Sequence, residues 1–507
     1  MSEEKQLVLR GTREVVVHDQ HSRAVSVEKQ DVDRGERELV VHKRRLRAAF
    51  AGERRVDRKG GELDEFEQRW RDRYDWLLGY GYRLPDRFRP GWVPSWKGKG
   101  EDVPYWDQED GALYNISSIT KMFAVRVADG ADILLTRICA PAPSHQVSII
   151  RTLGREPLAC DRRNHCVPVY EVLAASGEKN TVFIVSPVLR EWNDPSFDTV
   201  GEIVSMIMQI FEGLHFLHMH RIAYRANIMR KAMLDPRDMY PEGFHPISPK
   251  RARDWNPEAY AKRYTRTQRP PRYYFASSRA SRIYPRGIPP RVPRYDLDDV
   301  HLAAPEIEVP MQIRELIRRH PQLRSNPAFM ARAVYYDPFP ADVYGLASGI
   351  REHIVYVYKG FKFLRPLLED MTRINPRERP TMNEVIPRLH AILRGLGPEL
   401  RSRVVKYDEH PAVGYYRAIW HWQRRLVYVL TSTPAIPIPK PAPVTILKVI
   451  RHKLISDGTD SLVETEQGDA LVQATQNTAG IIYTVVSWWR SFTWFFRSLH
   501  LMLMDDD

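Results

Sequence analysis

Phe216-Leu217-His218-Met219-His220-Arg221-Ile222-Ala223-Tyr224-Arg225-Ala226-Asn227 decides the reading of this chain, because an apolar helical pattern ends there and a polar loop begins. Upstream, Ile203, Met206, Ile207, Ile210, Phe211, Leu214 and Leu217 recur at helical spacing, so they line the buried face of a helix that delivers the chain into the loop. Thr199 and Glu202 stand three apart at the start of that run, the spacing of a reciprocal N-terminal cap. The loop itself, Tyr224 to Lys231, holds no carboxylate that would accept a proton from a hydroxyl at neutral pH.

Three later motifs follow in fixed order: Ala304-Pro305-Glu306, Asp342-Val343-Tyr344 and Arg379-Pro380-Thr381. Together with the loop they resemble the protein kinase superfamily. There the loop reads His-Arg-Asp with an Asn five residues after the Asp, the Asp taking the substrate hydroxyl proton and the Asn holding magnesium. At finer grain, Arg89-Pro90-Gly91-Trp92-Val93-Pro94-Ser95-Trp96, Arg163-Asn164-His165-Cys166-Val167-Pro168, Met239-Tyr240-Pro241-Glu242-Gly243-Phe244-His245-Pro246 and the run Tyr264 to Tyr274 resemble kinase-like proteins of mushroom-forming fungi, from about Trp70 to about Pro437. The resemblance implies an α+β, bilobal protein-kinase-like fold, with a small β-rich lobe, a larger helical lobe and extensions at both ends.

Carried over residue by residue, the resemblance implies that phosphotransfer is lost. Tyr224, Arg225 and Ala226 stand at the His-Arg-Asp places, and Lys231 at that of the magnesium-binding Asn. Thr136 takes the place of the third-strand lysine, Ser148 (alternatively Gln146) that of the helix glutamate, and Ser277 that of the second magnesium-binding aspartate. Between Asp107 and Asp129 the only glycine is Gly111, so no glycine-rich loop brings backbone N–H groups to phosphates. No catalytic residue is intact. Displaced ligands are the alternative: Asn227 after a four-residue shift, or Asp235 and Asp238 in the next turn, although turn carboxylates are more often simply solvated. Lys231 has two readings, a replacement for magnesium charge facing a phosphate or a surface lysine.

The framework positions are kept. Glu306 and Arg379 resemble the buried ion pair that ties down the activation segment, and Asp342 resembles the residue that anchors the loop backbone. Arg225 has two readings, a partner for a phosphorylated segment or an arginine held by local carbonyls. The expectation is therefore a pseudokinase acting as a binding or regulatory module through an unknown protein partner, with no cofactor. ATP and magnesium enter only if the chain is instead an active, atypical Ser/Thr-type kinase. A third reading is a membrane- or nucleic-acid-associated adaptor.

With 507 residues and 43% hydrophobic content, the chain is long enough for a two-lobed domain with a packed core and is not a disordered protein. Its net charge of +13 is concentrated between Arg221 and Val300, where 18 Lys and Arg face 8 Asp and Glu. Arginines interleaved there with Tyr260, Tyr264, Tyr273 and Tyr274 form a pattern that binds nucleic acid in some proteins, but a solvated face is the commoner meaning, and nucleic acid is not expected. The three cysteines, Cys139, Cys160 and Cys166, argue for a reducing compartment; Cys160, His165 and Cys166 lack a usual zinc-ligand spacing. An intracellular location is expected, since the start has no apolar run.

Composition and resemblance divide the chain into a charged arm at 1–60, a helix and Arg-Pro-Gly-Trp segment at 61–105, a small lobe at 106–190 and a large lobe at 191–396 with a basic insertion at about 236–272. A helical extension at 397–433, a proline-rich linker and polar region at 434–478 and an amphipathic aromatic helix at 479–507 follow. The arm carries a two-copy repeat, Gly11 to His18 and Gly35 to His42, and the stretch Leu63 to Leu78 reads as one amphipathic helix. In the last segment, Ile481, Val485, Trp488, Phe492, Phe495, Leu499 and Leu503 form one stripe, fit for peripheral membrane contact, a partner groove or docking on the protein itself.

Overall fold

The computed structural model describes residues 61–97, 108–111, 120–139, 145–175, 178, 180–256, 259–276, 278–293, 304–305 and 335–441. Ser277, Glu306, the N-terminal repeat and the C-terminal aromatic segment lie outside the described residues. The elements treated below belong to one compact unit; Glu409–Ile419, at the start of the last helix, belong to a second.

The fold is α+β. Strand β1 (Tyr82–Arg83), β2 (Lys121–Arg126), β3 (Asp132–Cys139), β4 (Glu171–Ala174) and β5 (Thr181–Pro187) form an antiparallel sheet in the order β1-β2-β3-β5-β4. The turn between β2 and β3 uses Gly130 at φ +69°, a conformation glycine enters without steric cost. There Asp129 accepts from the Ala131 N–H and from Arg126, which holds its carboxyl down at about 2.

Period-two alternation gives the sheet two faces. One buries Ile133, Leu135, Phe183 and Val185 beneath helices α1 (Glu65–Arg71) and α2 (Tyr74–Gly79), through Trp70, Tyr74 and Leu77. These are two helices where the sequence reads as one. The break comes at Asp72 and Arg73, where Arg73 swings its guanidinium to Glu178, which also binds Arg137 at 2.9 Å. On the other face, Ile150 of helix α3 (His145–Leu153) packs with Ile138, Val172 and Ile184.

Helix α4 (Val200–Met219) is the core of the helical part, with fifteen of its residues buried from Val200 to Leu217, as the apolar spacing predicts. Its N-terminal cap is only half formed. Thr199 Oγ1 accepts from the Glu202 N–H at 3.2 Å, but Glu202 does not reach back to Thr199. It accepts from the Asp198 N–H at 2.7 Å and from the N–H and hydroxyl of Thr267 at 2.9 and 2.8 Å. Burial raises the Glu202 carboxyl above its ordinary range, with Arg266 opposing. A long-range network outbids the local cap because a fully buried carboxylate needs every acceptor site filled.

Helices α5 (Pro338–Ile350), α6 (Arg365–Met371) and α7 (Met382–Arg394) surround α4 and share its core. From the last helix, α8 (Pro411–Leu430), His421 and Arg424 bind Asp198 at 3.1 and 2.8 Å. The first residues of the proline-rich stretch, expected to act as a linker, lie against α4 instead. Ser205 donates to the Pro437 carbonyl at 2.6 Å, Ala435 and Ile436 join the core, and a Cβ on Gly201 would fall 1.9 Å from the Ala435 carbonyl oxygen.

Candidate functional site

Helix α4 ends at Met219 and hands the chain to strand β7 (Ile222–Ala223), which pairs with β10 (Arg282–Ile283). The loop that follows is fixed from beneath by Asp342 of α5. Its two carboxylate oxygens accept from the Tyr224 and Arg225 N–H groups, each at 2.7 Å, and His218 Nε2 lies 3.2 Å from Oδ2. Asp342 is 1% exposed. Both N–H groups are buried with it, so this carboxylate satisfies donors that have no other outlet.

The two side chains at the head of the loop turn inward. Tyr224 donates its hydroxyl to the Ala276 carbonyl at 2.6 Å, sits edge-on to Phe275 and is held far above the usual tyrosine range by burial. It is a structural strut rather than a proton acceptor. Arg225 adopts φ +55°, is 1% exposed and donates to the Ala280 carbonyl at 2.9 Å. Of its two sequence readings, this geometry is that of local carbonyls. Ala226 has only a methyl group at the place where the resemblance puts a catalytic carboxylate.

Two of the three proposed displaced ligands, Asn227 and Asp235, already have partners within the fold. Asn227 caps the short turn Ile228–Arg230, its side-chain oxygen accepting from the Arg230 N–H at 3.3 Å. Asp235 is held by Arg237, which donates from Nε at 3.0 Å and from its terminal nitrogen at 2.6 Å. Asp238 is exposed. Among the described residues no three His, Cys, Asp or Glu side chains gather as a metal site requires. His165 uses both ring nitrogens, toward the Tyr273 carbonyl and Glu212, and burial pushes the Cys166 thiol up to about 12.

On the sheet, Thr136 lies in β3 directly across from Ile184 of β5 and from Lys121 of β2. Cross-strand partners project from the same face, so Lys121 stands one strand over from Thr136, on the same side of the sheet. Sequence reading missed it, because pairing register cannot be read from one strand. Two residues along, Phe123 of β2 faces Leu134 of β3, both half-buried. On α3, Ser148 is exposed, whereas half-buried Gln146 lies one turn before Ile150, which packs on this sheet face.

Lys231 follows the Ile228–Arg230 turn, its carbonyl accepting from the Ala276 N–H at 3.1 Å and its side chain exposed. Lys121 is exposed too, yet burial first and the charge of Lys231 second hold its ammonium below the usual lysine range. The two facts agree if the side chain stands in a wet recess: water touches it, while the surrounding protein weakens the response of that water. Among the described residues neither lysine side chain meets a carboxylate or a carbonyl.

The basic stretch that follows β8 (Ala232–Leu234), a strand paired with β6 (Arg190–Glu191), turns its arginines onto its own rings. Arg251 covers Trp255, Arg269 covers Tyr264 and Arg272 covers Tyr274, at 4.5, 4.2 and 5.6 Å from the ring centroids. Arg266 is buried over Phe197 at 4.0 Å, and Tyr273 and Tyr274 are buried in β9 (Tyr273–Phe275). Faces used in this way are not free to stack on bases. Compared with family models and with curated proteins, the chain matches none.

Proposed function

We propose that the chain is a bilobal, protein-kinase-like protein that has lost phosphotransfer and acts as a binding or regulatory module. The observation that carries this reading is the loop at Tyr224–Lys231: its backbone is anchored by a buried carboxylate, Asp342, while Ala226 offers no proton acceptor. A five-stranded antiparallel sheet carrying one helix on the face of Thr136, followed by a helical part built around α4, supports the finer fold. Phosphoryl transfer is catalysed by positioning and electrostatics, and Ala226 supplies no proton acceptor, Lys231 no magnesium ligand and Thr136 no charge to hold phosphates.

The purified chain, given radiolabelled ATP with magnesium or manganese, transfers no phosphate to itself or to generic acceptor proteins. Label incorporation that vanishes in Asp235→Ala or Asp238→Ala would overturn the reading in favour of an active kinase with displaced ligands.

A further inference from the structure

Helix α8 is held to the protein by one side. His421 and Arg424 bind Asp198, and Tyr428 shares a 2.7 Å hydrogen bond with Thr265, so positions 421, 424 and 428 mark the inner face. Trp422, Leu426 and Leu430, each four residues after the last, fall on the outer face together with Val429, and no charged side chain interrupts the row. Trp422 is 66% exposed and Leu430 75%, and past the turn that follows, Ile438 is 70% exposed. Single apolar side chains are ordinary on a surface, but an unbroken row of large ones marks a contact site. Charge around the row narrows the kind of partner. From Pro411 to Ser456 the chain holds no aspartate or glutamate and seven Lys and Arg. Two of the seven are spent within the fold, Arg417 on Glu409 and Arg424 on Asp198. Arg425, on the flank of the row, and exposed Lys440 meet no carboxylate among the described residues. A second copy would set this positive stretch against itself, whereas an anionic surface complements it.

We infer that the outer face of α8 is a docking surface for an anionic phospholipid bilayer, with Trp422, Leu426 and Leu430 entering the boundary between head groups and acyl chains and with Arg425 and Lys440 meeting lipid phosphates. An amphipathic helix lies in that boundary with its apolar side about 5–10 Å deep. Helix α8 lies along the bilayer rather than across it, since its inner face is already bound to Asp198 and Thr265. A tryptophan ring suits the boundary because its body is apolar while its indole N–H reaches the wet side. The two contributions act in turn: lipid charge draws the face to the surface, and burial of the apolar row holds it there. None of this depends on whether the chain transfers phosphate.

Co-sedimentation of the full chain with vesicles of mixed phosphatidylcholine and phosphatidylserine, against vesicles of phosphatidylcholine alone, tests the inference. Binding to the mixed vesicles is expected, about tenfold weaker to phosphatidylcholine alone and weakened severalfold by added sodium chloride. Trp422→Ser with Leu430→Ser lowers the affinity for mixed vesicles about tenfold or more, and Arg425→Gln with Lys440→Gln lowers it severalfold. All four positions face outward or flank the row, and the melting temperature of each variant confirms that it is folded. Trp488→Ser with Phe492→Ser, in the C-terminal aromatic stripe, serves as the control and leaves the affinity within about twofold of the parent chain. Binding lost in that control and kept in the α8 variants overturns the inference and gives the membrane to the terminal stripe. No binding to either vesicle, or equal binding to both, overturns it as well. So does a dimer in light scattering that Trp422→Ser with Leu430→Ser splits into monomers while vesicle binding stays unchanged, because the face then belongs to a second copy of the chain.

Discussion

The loop at Tyr224–Lys231 and the sheet face at Lys121–Thr136 solve opposite problems. In the loop the two leading N–H groups end on Asp342, the tyrosine hydroxyl on Ala276 and the guanidinium on Ala280. On the sheet face, the Lys121 ammonium meets no carboxylate among the described residues, and burial first and the charge of Lys231 second hold it below the usual lysine range. Polar groups satisfied from within contribute to folding, and charges left unsatisfied do not. The contrast separates groups that the fold itself satisfies from a charge that no described group answers.

The largest expected effect tests the framework side. Asp342→Ala strands two buried N–H groups and should cost about 3–5 kcal/mol in urea unfolding, since each orphaned donor loses its full desolvation penalty. A loss below about 1 kcal/mol would erase the distinction, because the loop would then be held by something other than its anchor.

A second test uses acid. Burial alone would raise the Asp198 carboxyl, but hydrogen bonds from His421 and Arg424 outweigh it and hold the group at about 2. A folded-state value below the unfolded one stabilises above the unfolded value and is lost as pH falls through the folded one. Roughly 2 kcal/mol should therefore disappear between about pH 4 and pH 2. Asp198→Asn should flatten that part of the pH–stability curve relative to the parent protein; parallel curves would mean the trio contributes nothing as a charge pair.

The smallest effect sharpens the other side. Lys121 is destabilised in its charged form by burial and by Lys231, so Lys121→Gln should shift stability by no more than about 0.5 kcal/mol, and toward greater stability. A clear loss in thermal unfolding would show that this lysine has an internal partner and belongs with the framework.

Features local along the chain were legible in the sequence. The period of Ile203 to Leu217 announced α4, and the loop was placed by the helix that delivers it. Features that depend on register or on distant partners were not. Lys121 gains its meaning from Thr136, fifteen positions away on a paired strand, and no linear motif encodes that pairing. Glu202 looked like half of a local cap, yet it is claimed by Thr267 across the fold. The run Tyr273–Phe275 reads as a buried strand and is one, but the arginines of the basic stretch read as a solvated face because composition does not show which rings they lie over.

The seat of Ala435 on Gly201 has a mechanical meaning. With its carbonyl oxygen filling the space a methyl group would need, and with Ser205 gripping Pro437 one turn further on, the segment 435–437 is clamped to the first two turns of α4. A tug on the chain past Pro441 is therefore borne at that clamp, by the same rod whose far end opens into the loop of Tyr224.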